Sequence, residues 1–328
     1  MALYRPFGIF LFFTGALTAS VLASPEPLST HTAEPISPIP PESTGLDAKR
    51  IALGERLFSN FRLSRDNSQS CATCHPLQKG GMDGLPRATG ADGNLRLRNT
   101  PTIFNVGLNS SYNWDGSANT LEKHADLTLS NPQIMNMTWP ELLARLRGDV
   151  GYATAFDAAY LHGLTKDAVL DAIAQFERSL LTPNSRFDRF LGGEKNALTE
   201  REVAGYQLFK SYGCVSCHQG VNIGGNLFQK FGVFLDVKKK AGTDDPGRII
   251  VTGVARDREV FRVPSLRNVA VTAPYFHDGR AQTLPEAVDT MANAQLGRRL
   301  SAEDVDKIVG FLRTLTGEYQ GRRLDAPN

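Results

Sequence analysis

Two five-residue stretches carry the chemistry of this chain. Cys71-Ala72-Thr73-Cys74-His75 and Cys214-Val215-Ser216-Cys217-His218 both read C-x-x-C-H. At that spacing two thiols add to the vinyl groups of a haem while the adjacent imidazole ligates its iron, the signature of covalent haem c attachment. The two motifs use all four cysteines, so no thiol is left for a disulfide. A zinc site would need both Cys pairs to converge on one metal, and would leave the His after each second Cys unexplained. A thioredoxin-like pair would need a βαβ context that the sequence does not show. Two haem c groups are therefore the expected cofactors, with His75 and His218 as iron ligands. What sits on the opposite face of each iron decides between carrying electrons and doing chemistry with them.

The rest of the chain must reach and hold those groups. Residues 1–23 have one early cation, Arg5, an apolar run from Phe7 to Leu17, and small residues near Ala23 and Ser24, a secretory signal peptide. An uncleaved anchor is the other reading, but the run is short and interrupted for a membrane span. Haem c is attached outside the cytoplasm, so both signals point to the periplasm. Residues 24–45 are rich in Pro, Ser and Thr and read as an extended or disordered linker, with His31 solvated. About 280 residues remain, which suits two domains. The expected bounds are 46–193 and 194–328, with the break near Gly193 after Pro183 and Gly192. A net charge of +2, an isoelectric point near 8.3 and no basic stripe interleaved with aromatics exclude a nucleic-acid partner.

An internal repeat also implies two domains. "GERLF" from Gly54 precedes the first haem motif, and "GYQLF" from Gly205 precedes the second. Residues 99–128 align without a gap on residues 262–291, and ten of thirty positions are identical, among them Pro101/Pro264, Tyr112/Tyr275, Gly116/Gly279 and Thr120/Thr283. T-x-x-E capping boxes at Thr138/Glu141, Thr199/Glu202 and Thr283/Glu286 predict helix starts. Apolar stripes at Val169, Ile173, Phe176 and Leu180, and at Val305, Ile308, Val309, Leu312 and Leu315, have helical period and read as packing faces. Only residues 248–254, "RIIVTGV", read as a strand. The fold class is all-α: two cytochrome c-like haem domains related by internal duplication and packed together.

The repeat compares the two irons. Its last aligned pair is Thr128 and Met291. A thioether at Met291 would fill the sixth position of the second iron and raise its potential, whereas Thr128 offers the first iron nothing equivalent. A lone Met on a helix is also an ordinary core residue.

In combination "CATCH", "RNTPT", "NWDG", "NPQIMNMT", "CVSCH", "VPSLRNV", "PYFHDG" and "AVDTM" resemble the bacterial dihaem cytochrome c peroxidases over about residues 46–315. The resemblance implies a peroxidatic N-terminal haem and an electron-accepting C-terminal haem. It implies reduction of hydrogen peroxide to water with electrons from a small periplasmic cytochrome c or cupredoxin. It places Met291 as sixth ligand of the second haem, Trp114 between the haems, and Asn99, Thr272 and Pro274 around an interdomain calcium. A homodimer stays open.

The chain departs from the family pattern in the first haem pocket. Many members cap the peroxidatic iron with a His from the loop before "RNTP". Here residues 76–101 contain no His, Ala91 falls at that place, and Met82 follows His75 too closely to pass over the haem edge. The usual acid of N-P-x-E-M is Ile134, and His124 stands where a Gln commonly lines the pocket. A lone His near a helix start is often structural. Peroxide cleavage, however, needs a group that moves a proton between its oxygens, and imidazole suits this near neutral pH. The expected catalytic residues are therefore His124 and Trp114, while His162 and His277 are read as structural, the latter near a haem propionate. Two alternatives keep the fold. A methylamine-utilisation type of dihaem enzyme oxidises a partner protein, but has Tyr where this chain has Met291. A non-enzymatic carrier would need Met135 or Met137 on the first iron.

Overall fold

The structure is a computed structural model that describes residues 1–3, 34–90, 92–235 and 244–324. Most of the signal-peptide stretch, His31 and Ala91 lie outside the described residues. The chain divides into Met1–Glu34 and Pro35–Asn328, and every element named below belongs to the second unit. Among the described residues no helix is long and apolar enough to cross a membrane.

Among the described residues eleven α-helices run in chain order: α1 (Ala48–Phe58), α2 (Cys71–Cys74), α3 (Leu121–Ser130), α4 (Trp139–Arg147), α5 (Val150–Ala159), α6 (Lys166–Ser179), α7 (Arg186–Leu191), α8 (Glu200–Ser211), α9 (Ile249–Thr252), α10 (Leu284–Leu296) and α11 (Ala302–Arg313). Two small antiparallel two-stranded sheets pair β1 (Phe228–Lys230) with β2 (Val260–Arg262) and β3 (Glu318–Tyr319) with β4 (Arg322–Arg323). The fold is mostly helical.

Each haem motif follows a helix crossing built the same way. The stripe of α6 buries Val169, Ile173 and Phe176 against α1, and that of α11 buries Ile308, Val309 and Leu312 against α8. At the closest points stand Gly54 and Gly205, the first residues of the two "G-x-x-L-F" stretches. A Cβ on Gly54 would overlap the Ala172 carbonyl oxygen, and one on Gly205 the Lys307 carbonyl oxygen. Glycine is required there because two helix backbones touch.

The aligned segments adopt matching backbones. Asn105 and Asn268 both take the left-handed conformation, with φ of 59° and 62°. Tyr112 and Ala118 form an isolated antiparallel bridge, as do Tyr275 and Ala281. Thr120 caps α3 and Thr283 caps α10, each through its side-chain oxygen. The two segments also grip each other reciprocally: Asn99 N–H donates to the His277 carbonyl at 2.7 Å, and Arg262 N–H to the Trp114 carbonyl at 2.7 Å. Asn99 aligns with Arg262 and Trp114 with His277, so one contact is made twice with the roles exchanged.

Three expectations differ from what is observed. Residues 248–254 are not a strand. Arg248 stacks its guanidinium 3.8 Å over Phe228 and bonds the Asp115 carbonyl, and Gly253 at φ 68° ends a single helical turn. The strands flank that turn instead. Of the capping boxes, Thr199/Glu202 is complete. Thr138 makes no side-chain cap and Glu141 pairs with Arg145 at 2.7 Å instead of reaching back, while Glu286 reaches the Gln282 N–H rather than that of Thr283. The second half of the 24–45 stretch is packed rather than free. Ile36 and Ile39 are buried, Ser37 accepts from Arg267 at 2.8 Å, and Ser43 donates to the Arg178 carbonyl at 2.6 Å.

The helix crossings generate a stability prediction. Gly54→Ala and Gly205→Ala should each cost on the order of 1–3 kcal/mol, as overpacking does. Thermal unfolding of the single variants measures it, and unchanged midpoints would refute the close-approach role.

Candidate functional site

Both C-x-x-C-H motifs are presented in the same way. Ser70 starts α2 with a reciprocal cap to Thr73, and Gly213 at φ 90° turns the chain into the Cys214 motif. His75 Nδ1 lies 3.0 Å from the Gly81 carbonyl, and His218 Nδ1 lies 3.3 Å from the Ile223 carbonyl. Each ring is thereby oriented by a backbone acceptor, which leaves Nε2 as the ligating nitrogen. The carbonyls of Pro101 and Pro264, an aligned pair, act on the two imidazoles as well. Burial lowers the His75 pKa and pushes that of His218 down to about 4, so both rings are neutral and fit to bind iron. All four cysteines are free and half-buried. Burial pushes the Cys74 and Cys214 thiols up to about 11. The residues present fit covalently held haem.

Trp114 lies in the seam between the two motifs. Its indole donates to the Asn99 carbonyl at 2.9 Å and meets His277 edge-on at 6.3 Å. His277 in turn stacks on Phe261 with ring centroids 4.0 Å apart, and burial holds its pKa at about 4. Aromatic side chains from both halves thus form a continuous contact. Asn99 Nδ2 donates to the Leu85 carbonyl at 2.7 Å, which turns its side-chain oxygen the other way. Its backbone bond to His277 brings it alongside the segment that contains Thr272 and Pro274. Among the described residues no group of three or more His, Cys, Asp or Glu is placed to hold a metal, so a calcium here would rest on neutral oxygens.

His124 sits on the first turn of α3 with its ring 6.2 Å from that of Tyr112. Burial, and then the nearby His75 and Arg262, hold its pKa at about 4. His124 is thus buried near His75 and Arg262. Met135 and Met137 are buried in the apolar cluster of α4, α5 and α6, with Ile134 packed against it. Met82 is buried in the first-motif loop, where its sulfur accepts from Gly84 N–H at 3.1 Å. Met291 is half-buried on α10, on the same face as Leu284, Ala287 and Val288, which pack into the second half's core.

Two pocket residues escaped the sequence reading. Glu177 is buried on α6 near Cys71, with its Oε2 unpartnered, and burial pushes its pKa up to about 8. Its signal was legible, since it lies beside Phe176 and one turn after Ile173 on the apolar stripe. Arg262 is 4% exposed and bonds the Asn113 carbonyl through Nε, while its Nη1 has no partner. No periodicity marks Arg262, because its environment is made by the other half.

Residues 48–196 match the family model described as di-haem cytochrome c peroxidase. The chain is similar to the cytochrome c551 peroxidase of Nitrosomonas europaea, 42% identical over 94% of this chain and 90% of that one. It is likewise 42% identical to the cytochrome c peroxidase Ccp of Escherichia coli, over 92% of this chain, and spans 65% of that relative's length. At 32% identity it matches the methylamine utilization protein MauG of Methylorubrum extorquens over 93% of this chain and 90% of that one. Among solved structures, a MauG-like protein associated with microbial copper homeostasis superposes with a TM-score of 0.74 at 29% identity, over 85% of this chain and 94% of that one. A bundle of short helices around two C-x-x-C-H motifs defines a dihaem c-type protein. The chain belongs to the di-haem cytochrome c peroxidase family, and its cofactors are two haems.

Glu177 generates a prediction about pH. A carboxyl with a folded pKa near 8, against an ordinary 4.5, binds more protons folded than unfolded between those values. Stability then falls as pH rises through that window, by at most about 1.4 kcal/mol per pH unit. Glu177→Gln should flatten the fall, which denaturant melts between pH 5 and 8 will measure. An unchanged slope would refute the buried neutral acid.

Proposed function

We propose that this protein is a periplasmic dihaem peroxidase that reduces hydrogen peroxide to water with electrons from a small cytochrome c or cupredoxin. The observation that carries the reading is the asymmetry of two otherwise matched haem sites. The reciprocal bonds, paired caps and paired glycines support a duplicated one-haem domain, 46–193 and 194–328. Within that frame the first site has His124 where the second has Ala287, and Thr128 where the second has Met291. In this reading Met291 completes the second site for electron transfer, and the first keeps an exchangeable position. The haem held by Cys71, Cys74 and His75 supplies, when bound, the iron at which the peroxide bond is reduced.

The chain's own residues do the rest. Neutral His124 takes the proton from the inner oxygen of peroxide and returns it to the outer one, which then leaves as water. Trp114 and His277 bridge the seam for electrons arriving from the site of Cys214, Cys217, His218 and Met291. Calcium held by Asn99, Thr272 and Pro274 would stiffen that seam. The secretory reading of residues 1–23 supports export.

Steady-state peroxide reduction with a panel of small periplasmic redox proteins tests the function, and no turnover with any donor would refute it. His124→Ala should lower the rate of peroxide cleavage by a factor on the order of 10² to 10⁴, while the protein still binds cyanide. A variant that cleaves peroxide at the parent rate would remove His124 from the mechanism. Met291→Ala should lower the potential of the second haem and leave the first unchanged. Two unmoved potentials in spectroelectrochemical titration would make Met291 a core residue.

A further inference from the structure

The geometry points to Arg262 as the counter-cation of a propionate on the first haem, supplied by the opposite half of the chain. The inference rests on the assignment of that haem to Cys71, Cys74 and His75.

Arg262 is the last residue of β2, in the C-terminal half. Its backbone N–H is spent on the Trp114 carbonyl, and its Nε donates to the Asn113 carbonyl at 3.2 Å, so backbone and side chain both bind residues 113–114. The preceding residue, Tyr112, faces His124. The guanidinium therefore lies in the pocket of the first motif, although the chain reaches it from the second.

A guanidinium always carries its charge, and leaving a buried charge unpaired is costly. Arg267, equally buried, binds Asp188 at 2.7 Å, and the partly buried Arg98 binds Asp245 and Asp115. Among the described residues Arg262 has no acidic partner, and its buried Nη1 has no acceptor. Glu177, the buried acid of the same pocket, is held neutral and supplies no counter-charge. A haem brings two carboxylates of its own, and a planar fork suits one of them. The aligned position in the other half is Asn99, which is neutral. The seam is thus symmetric in its backbone bonds and asymmetric in charge, with the cation given to the first haem alone.

A cation beside a haem favours the reduced iron, and its removal leaves the propionate uncompensated. Arg262→Gln should lower the potential of the first haem, leave that of the second in place, and shift the first haem's propionate deformation band in the resonance Raman spectrum. Arg262→Lys, which keeps the charge but loses the fork, should return most of the potential. If Arg262→Gln does not retain both haems, the lysine variant carries the test through the same band. A shift confined to the second haem, or unchanged potentials and band with slower peroxide cleavage, would overturn the assignment; the latter would place Arg262 over the peroxide. A parent protein with one haem per chain would instead refute the underlying site assignment.

Discussion

The structure depends on one reciprocal contact, the pair of buried backbone hydrogen bonds from Asn99 to His277 and from Arg262 to Trp114. Buried backbone donors and acceptors must be paired, and an unpaired one costs about 1–3 kcal/mol, more than the bond itself contributes. Neither haem-binding half can slide past the other without breaking both bonds together. The aromatic contacts of Trp114, His277 and Phe261 fill the same seam, so a rigid separation of the two haem sites follows from satisfied hydrogen bonds. Electron transfer between fixed centres needs such a separation.

On that symmetric frame the functional differences are single side chains. The helix crossings at Gly54 and Gly205 and the imidazole orientation by Gly81 and Ile223 carbonyls are common to both halves. His124 against Ala287, Thr128 against Met291, and Asn99 against Arg262 are not. In the proposed reading each of these differences bears on the first haem's pocket or on the second iron's open face, while the aligned backbones stay matched.

Much of this was legible in the sequence because it is local. The C-x-x-C-H spacing, the apolar stripes of α6 and α11, the threonine caps and the gapless repeat need only a short window. The strand expected at 248–254 failed because its β-branched run is overruled by a guanidinium stacked on Phe228, a contact set by tertiary structure. The packed half of the 24–45 stretch was missed because Ile36 and Ile39 are isolated apolar residues whose pocket is formed by distant elements. Arg262 was invisible for the same reason: its lack of an acidic partner is a property of the seam, and no pattern in residues 248–268 reports it. Glu177 could have been found, as a carboxylate on the inner face of a helix.

The central claim is that two matched sites hold irons of different coordination. Electron paramagnetic resonance of the fully oxidised protein tests it most directly. The account predicts one high-spin ferric signal from the haem of His75 and one low-spin signal from the haem of His218 and Met291. Two low-spin signals, from His/His or His/Met ligation at both irons, would contradict it.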